Sequence, residues 1–332
     1  MPNIIEVARQ AGVSKTLVSR VLNGQSGVGP ENRERILEAM SLLNYRPNIL
    51  ARSLVLKRTQ AIGVVMDSLC VSYYFGFIGA VTRSAEAMGY HLVFGSLPRI
   101  ETLRADYLAY FTQGYADGVI LYGSTVENEG LISYLVDARF PVVVVEHNPT
   151  NEKVHRVLLD NHGGAYTAVK HLTSRGCQDI RHFVGDLDKQ VTQDRLAGYQ
   201  HAMRDLGLTI KEHSVVQASF TEAAGYDAMR RLIEAGDVPQ AIFCGSDLTA
   251  FGAMRAAMQA GIRIPEEIKF VGFDDDKPES HDIVFPQLTT LRQPLDEMGR
   301  LAIEQLVKAI RDPDIHPLRS VLSPELVLRE TT

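Results

Sequence analysis

The stretch from Ile4 to Asn23 constrains this chain more than any other. Its apolar residues recur at helical spacing on either side of Gly12, so it reads as two short helices joined by a tight turn. Val7 and Ala8 face inward from the first helix. Gly12 supplies a backbone conformation that a side chain resists. Val13 can plug the angle between the helices, and the Ser14 hydroxyl can cap the second. Val18, Val21 and Leu22 then face the same core. Lys15, Thr16, Ser19 and Arg20 are left on the other face, where short polar or cationic side chains reach base edges and phosphates. A helix-turn-helix lays its second helix in the DNA major groove. The plain alternative is an amphipathic helix pair with a solvated face.

Charge separates these readings. Residues 1–58 carry nine Lys/Arg against four Glu, a net charge of +5. The whole chain carries −6, so the remainder carries −11. A basic head on an acidic body implies that the head meets phosphate and the body does not.

The segment from Asn44 through Pro47, Asn48 and Ala51 to Leu54 follows the head. Pro47 ends the preceding helix, because the residue before proline is pushed out of helical conformation. Ile49 to Leu56 is then a short, mostly apolar helix, marginal alone. Without further context it reads first as a plain linker whose leucines pack on the body.

Beyond residue 60 the pattern changes to alternating strands and helices. Strands are expected at 61–66, 91–94, 118–121 and 142–145, then at 156–159, 182–184, 215–216, 241–244 and 269–273. Helices are expected at 77–87, 164–174, 196–205, 223–234 and 248–260. This alternation predicts parallel sheets covered by helices on both faces, with strands enough for two. Ligands of such sheets bind at the carboxyl ends of strands. The polar residues there are Asp67 and Ser68, Glu146 and His147, Ser246 and Asp247, and Asp274 and Asp275. Arg195 lies near the start of a helix, and Tyr74, Phe75 and Phe220 add aromatic faces. Carboxylates, one arginine and aromatic rings suit a polyhydroxylated ligand. The plain reading of the strand-end acids, Asp247 above all, is helix capping.

The head resembles the LacI/GalR family of bacterial transcription regulators. So do Asp160 to Ala165, Arg195 to Tyr199, Gly245 to Asp247, Ala250 to Met254, Val271 to Asp275 and Pro286 to Leu291, in order along the chain. The resemblance implies an all-α helix-turn-helix head joined to a periplasmic-binding-protein-like α/β body of two Rossmann-like lobes. Its divisions are a head at 1–46, a hinge helix and linker at 47–59, and an effector-binding and dimerisation body at 60–332. The N-lobe spans about 60–159 and 291–319, the C-lobe about 160–290 and 320–332. Crossings fall near 159–162, 286–292 and 318–322, and the last helix, 294–310, and last strand, 322–329, lie in different lobes.

By the same resemblance the DNA-facing residues are Ser14, Lys15, Thr16, Ser19, Arg20, Asn23 and Arg33 in the head and Asn48, Ala51 and Leu54 in the hinge. Arg20 is the strongest base reader, because a guanidinium bonds a guanine edge bidentately. Leu54 matches a leucine that wedges into the minor groove. The effector-binding residues are Asp67, Phe75, Glu146, Arg195, Phe220, Ser246 and Asp274. The chain departs from the family at Leu17, where a threonine is common, and at Gly29-Pro30, where a serine cap is lost. It departs again at Ser246, often Asn or Asp in sugar-binding members, and at His147, often Arg.

Other classes fit less well. The spacings of His147, His155, His162, His171 and His182 match no metal motif. Gly163-Gly164 lacks the Lys-Ser/Thr of a phosphate loop, and no nucleophile elbow occurs. Neither catalysis nor a cofactor or metal is expected. Three scattered cysteines, the absence of a signal-peptide core and the absence of an eighteen-residue apolar run imply a cytoplasmic protein without a membrane span. A free-standing periplasmic solute-binding protein would suit the body but not the basic head. The expectation is a cytoplasmic homodimeric repressor, without a tetramerising leucine-heptad tail, that binds double-stranded operator DNA under control of a sugar-like effector.

Overall fold

A computed structural model describes residues 2–22, 26–45, 58–66, 72–96, 111–123, 129–278 and 284–332. The chain forms two compact units, Met1–Thr59 and Gln60–Thr332.

The first unit is helical. α1 (Ile4–Ala11) opens with a capping box: Asn3 Oδ1 accepts from the backbone of Glu6, whose carboxylate accepts from Asn3 N–H. Gly12 ends α1 in the left-handed conformation at φ 65°, which permits the tight turn into α2 (Lys15–Leu22). α3 (Pro30–Leu42) starts after Gly29 with no side-chain cap and with proline in the first turn, as the sequence led one to expect. Val7, Ala8, Ala11, Val18, Val21, Ile36 and Ala39 form the buried core of this unit.

The second unit contains two six-stranded sheets. The first has the order β11-β5-β4-β3-β1-β2, from β1 (Ala61–Met66), β2 (His91–Ser96), β3 (Gly118–Tyr122), β4 (Val142–Val145), β5 (His155–Leu159) and β11 (Arg319–Leu322). All its pairings are parallel. The second has the order β12-β10-β9-β8-β6-β7, from β6 (Ile180–Val184), β7 (Val215–Gln217), β8 (Ala241–Cys244), β9 (Lys269–Asp274), β10 (Thr289–Arg292) and β12 (Glu325–Val327). It is parallel except at the edge strand β12. The covering helices are α4 (Tyr74–Ala87), α5 (Glu129–Asp137), α6 (Asn161–Ser174), α7 (Gln190–Asp205), α8 (Glu222–Glu234), α9 (Asp247–Gln259) and α10 (Leu295–Arg311). Continuous apolar strands such as Val142–Val145 are buried throughout, as a sheet covered on both faces requires.

Two boundaries differ from expectation. β10 keeps Leu291 and Arg292 in the second sheet, so the chain returns to the first lobe only at α10. There Gly299 lets α10 approach α4 so closely that a Cβ would meet Ala80 Cβ at 2.6 Å. The single strand expected at 322–329 is instead two. β11 ends at Leu322 in the first sheet, and β12 begins at Glu325 in the second. Pro324 lies between them and cannot donate to a ladder. Helices also begin earlier than the apolar pattern suggested. α7 starts at Gln190 rather than 196, because its first turn is polar and faces the space between the lobes.

Candidate effector cleft and DNA-facing helix

In the helical unit, Lys15, Thr16 and Arg20 are exposed while Val18 and Val21 are buried, so α2 presents one polar face. Ser14 Oγ accepts from Leu17 N–H at 3.2 Å and caps the helix. Ser19 is half-buried on that face, and Arg33 is exposed on α3. Leu17 packs against the apolar core. Asn23, Asn48, Ala51 and Leu54 lie outside the described residues, as does the expected hinge helix.

In the body, a cleft between the lobes brings together Glu146, Arg195, Phe220, Ser246 and Asp274, five of the seven residues proposed from the sequence. Arg195 is the centre of this arrangement. Its Nε donates to Asn161 Oδ1 at 2.8 Å and its Nη1 to the Gly245 carbonyl at 2.5 Å. Its guanidinium lies 3.7 Å over the Phe273 ring and 3.7 Å from Asp274 Oδ1. The side chain is buried and held on several sides, so its direction is fixed before any ligand arrives.

The carboxylates approach from different lobes. Glu146 follows β4 at φ 57°, and Asp274 ends β9 at φ 116°, backbone regions that non-glycine residues adopt at a cost of order 1–3 kcal/mol. Glu146 Oε2 accepts from Tyr73 Oη at 3.0 Å and Tyr122 Oη at 3.2 Å, whereas the buried Oε1 has no hydrogen-bond partner. Burial pushes the Glu146 carboxyl above its ordinary pKa, and Arg195 opposes that rise. Burial raises Asp274 to about 7, against the pull of Arg195 and of the Gln293 amide that donates to it at 2.7 Å. Around the Arg195 cation the cleft therefore holds two carboxyl groups biased toward protonation, able to accept or donate, and Lys189 and Asp276 also line it.

Ser246 has two tasks. It lines the cleft, and its Oγ caps α9 by accepting from Thr249 N–H at 3.3 Å. Asp247 is structural: its oxygens accept from Thr290 Oγ1 at 2.6 Å and Asp276 N–H at 2.7 Å. Asp275 forms ion pairs with Arg292 and Arg329, whose hydrogen bonds outweigh burial and hold its carboxyl below the usual range. Phe220 lies against Gly185, where a Cβ would strike the ring at 2.1 Å.

Phe75 corrects the sequence reading. It is 62% exposed and does not line the cleft; Tyr73 and Tyr74 do. Helix α4 begins at Tyr74, and one residue further turns the side chain by about 100°, toward solvent. Asp67 and Ser68 lie outside the described residues. Tyr73, Lys189, Gln190 and Asp276 were missed. The adjacent tyrosines at the start of a helix were a usable signal for the first; Lys189 and Asp276 come from loop geometry, and Gln190 from the first turn of α7. His147 turns away to bond Glu129 at 3.0 Å. His155, His171 and His182 likewise have protein partners, the last a carbonyl. Cys177 and Cys244 are buried, and Cys70 is outside the described residues. Among the described residues no helix is long and apolar enough to cross a membrane.

Comparison with known proteins follows the same division. Residues 3–48 match the family described as bacterial regulatory proteins, lacI family, and residues 169–332 match a periplasmic binding protein-like domain. The chain is 34% identical over 312 residues to the HTH-type transcriptional repressor PurR of Erwinia tasmaniensis, covering 93% of this chain and 91% of that one. It is 32% identical over 334 residues to the PurR of Salmonella paratyphi B, covering 100% and 97%. Among solved structures it is similar to a transcriptional regulator CelR–cellobiose complex, at 30% identity with full coverage of both chains and a TM-score of 0.75. It is also similar to a lac repressor dimer bound to operator and the anti-inducer ONPF, at 25% identity, 99% and 98% coverage and a TM-score of 0.88. These relatives are regulators rather than enzymes. With a helix-turn-helix head, a two-lobed ligand-binding body and similarity along its whole length, the chain belongs to the LacI family of bacterial transcriptional repressors.

Proposed function

We propose that this protein is a cytoplasmic homodimer that binds a near-palindromic operator and releases or grips it according to a small polar ring compound, a sugar or sugar derivative, held between its lobes. The observation that carries this reading is Arg195, fixed by Asn161 and the Gly245 carbonyl and flanked by carboxylates from both lobes. A cation and two carboxyls at the centre suit ring hydroxyls, and the aromatic side chains suit the apolar face of a sugar. A second reading, a nucleobase, is favoured by one feature. Tyr73 and Tyr74 come from one lobe and Phe220 from the other, as stacking on both faces of a flat ring would need.

In the head, Lys15, Thr16 and Arg20 would read base edges, with Ser14, Ser19, Asn23 and Arg33 steadying the backbone contact. Asn48, Ala51 and Leu54 would form a hinge that orders on DNA. An effector that binds the closed body more tightly than the open one shifts that equilibrium, and hinge geometry would report the shift to the head.

A thermal-shift screen of the full chain with monosaccharides, disaccharides and nucleobases tests the reading, because a ligand of the folded state raises apparent stability. Calorimetry on Arg195→Ala then assigns the site. Lost binding with retained operator affinity supports it; unchanged affinity removes Arg195 from the effector site.

A further inference from the structure

Beyond Glu146 and Gln190 the cleft borders a second cavity, beside the carboxyl end of β5 and the β11 residues Arg319 and Val321. Asn148, Asp160, His162, Asp194 and Arg319 line it, and Glu146 and Gln190 are walls of both spaces. The partition between them is slight. Gln190 is half-buried in the first turn of α7, and its Oε1 accepts from Asn148 N–H at 2.8 Å.

The two spaces differ in chemistry. The first is walled by Tyr73, Tyr74 and Phe220. The second carries carboxylates, an imidazole and a guanidinium, the groups that bond to hydroxyls in both directions. Between them lies Glu146, 7% exposed, whose Oε1 makes no well-formed hydrogen bond, with the Asn161 amide its nearest polar influence beyond Tyr73 and Tyr122. A buried carboxylate oxygen left unpaired is costly, and a ligand hydroxyl spanning the partition would satisfy it.

We propose that this second cavity is a subsite of the effector cleft, and that it takes the hydroxyl-rich second ring of a glycoside whose first ring lies among Tyr73, Tyr74 and Phe220. The proposal rests on the reading that the cleft binds the effector, but not on which first ring it prefers. A disaccharide and a nucleoside share the required chemistry, a polyhydroxylated ring joined through one glycosidic bond.

Calorimetry on the full chain distinguishes the sources and the two levels of inference. The one-ring probes are glucose, galactose, adenine, hypoxanthine and cytosine. The two-ring probes are cellobiose, maltose, lactose, adenosine, inosine and cytidine. In one series the two-ring compound is expected to bind at least tenfold more tightly than its one-ring component. Asp194→Asn and Arg319→Ala, both outside the first cleft, are expected to erase that gain while leaving one-ring affinity within twofold. One-ring compounds binding as tightly as two-ring ones, or a gain that survives in both variants, would overturn the subsite and leave the effector cleft standing. Absence of binding by every probe would instead overturn the cleft reading, and the subsite with it.

Discussion

Ser72 Oγ donates to Asp276 Oδ2 at 2.7 Å, joining the segment before α4 in one lobe to the loop after β9 in the other. Asn148 N–H likewise donates to Gln190 Oε1 in the other lobe. The two bonds join the lobes at Asp276 and Gln190, both lining residues of the cleft that holds Arg195. Both are solvent-exposed, so each is worth little alone, at the lower end of the ~0.5–1.5 kcal/mol typical of a protein hydrogen bond. Ser72→Ala is expected to shift the body toward an open arrangement and to weaken effector binding about two- to threefold. Small-angle scattering of the body with and without the thermal-shift hit measures the first effect, and calorimetry the second. An unchanged affinity would mean that the bond does not bias closure.

Arg20→Ala is expected to weaken operator binding by about 1–3 kcal/mol and to leave binding to random DNA nearly intact. The residue is exposed on the polar face of α2, where its loss leaves the Val18–Val21 core untouched. Fluorescence anisotropy on both DNAs at one salt concentration decides the point. Equal losses on the two would make Arg20 a phosphate contact.

Leu54→Ala is expected to reduce operator affinity and DNA bending together, since both would depend on the same inserted side chain. Effector affinity should not change. Circular-permutation gel shifts read the bend, and amide exchange reads whether residues 49–56 gain protection on operator. A variant that binds and bends like the parent would reduce the segment to a linker.

Asp274 gives stability a pH dependence of definite sign. Its folded pKa of about 7 lies above the ordinary value of 3.8, so between these pH values the folded state holds more proton than the unfolded chain. Its contribution to stability therefore falls as pH rises from about 4 to about 7, then levels off. His182 acts oppositely, because burial lowers its pKa to about 4; its contribution rises with pH between about 4 and 6.5. The test is accordingly a difference. Asp274→Asn should gain stability relative to the parent progressively from pH 4 to 7, measured by urea unfolding, and hold that gain above pH 7. A difference independent of pH would show that Asp274 does not titrate in this range.

The local and periodic features were legible along the chain. Gly12 and Ser14 set the turn and cap of the helix pair through their own backbones and neighbours, and the core at Val7, Val18 and Val21 follows from helical spacing. The central strands of β1 to β9 followed from continuous apolar runs, because burial on both faces leaves that mark in the chain, while the exposed edge strands β2 and β7 left only short ones. Arg195, Glu146 and Asp274 were legible because order along the chain placed them at strand ends and an early helical turn. What depends on rotation and on distant partners emerged only with the fold. One residue of helical phase turned Phe75 to solvent and gave its place to Tyr73 and Tyr74. Asp247 and Asp275 resembled Asp274 in sequence, yet Thr290 and the Asp276 backbone claimed the first, and Arg292 and Arg329 the second. Asp274 alone of the three was left facing Arg195 in the cleft. Neighbouring acids in a chain look alike until the fold assigns their partners, and those partners lie up to 54 residues away.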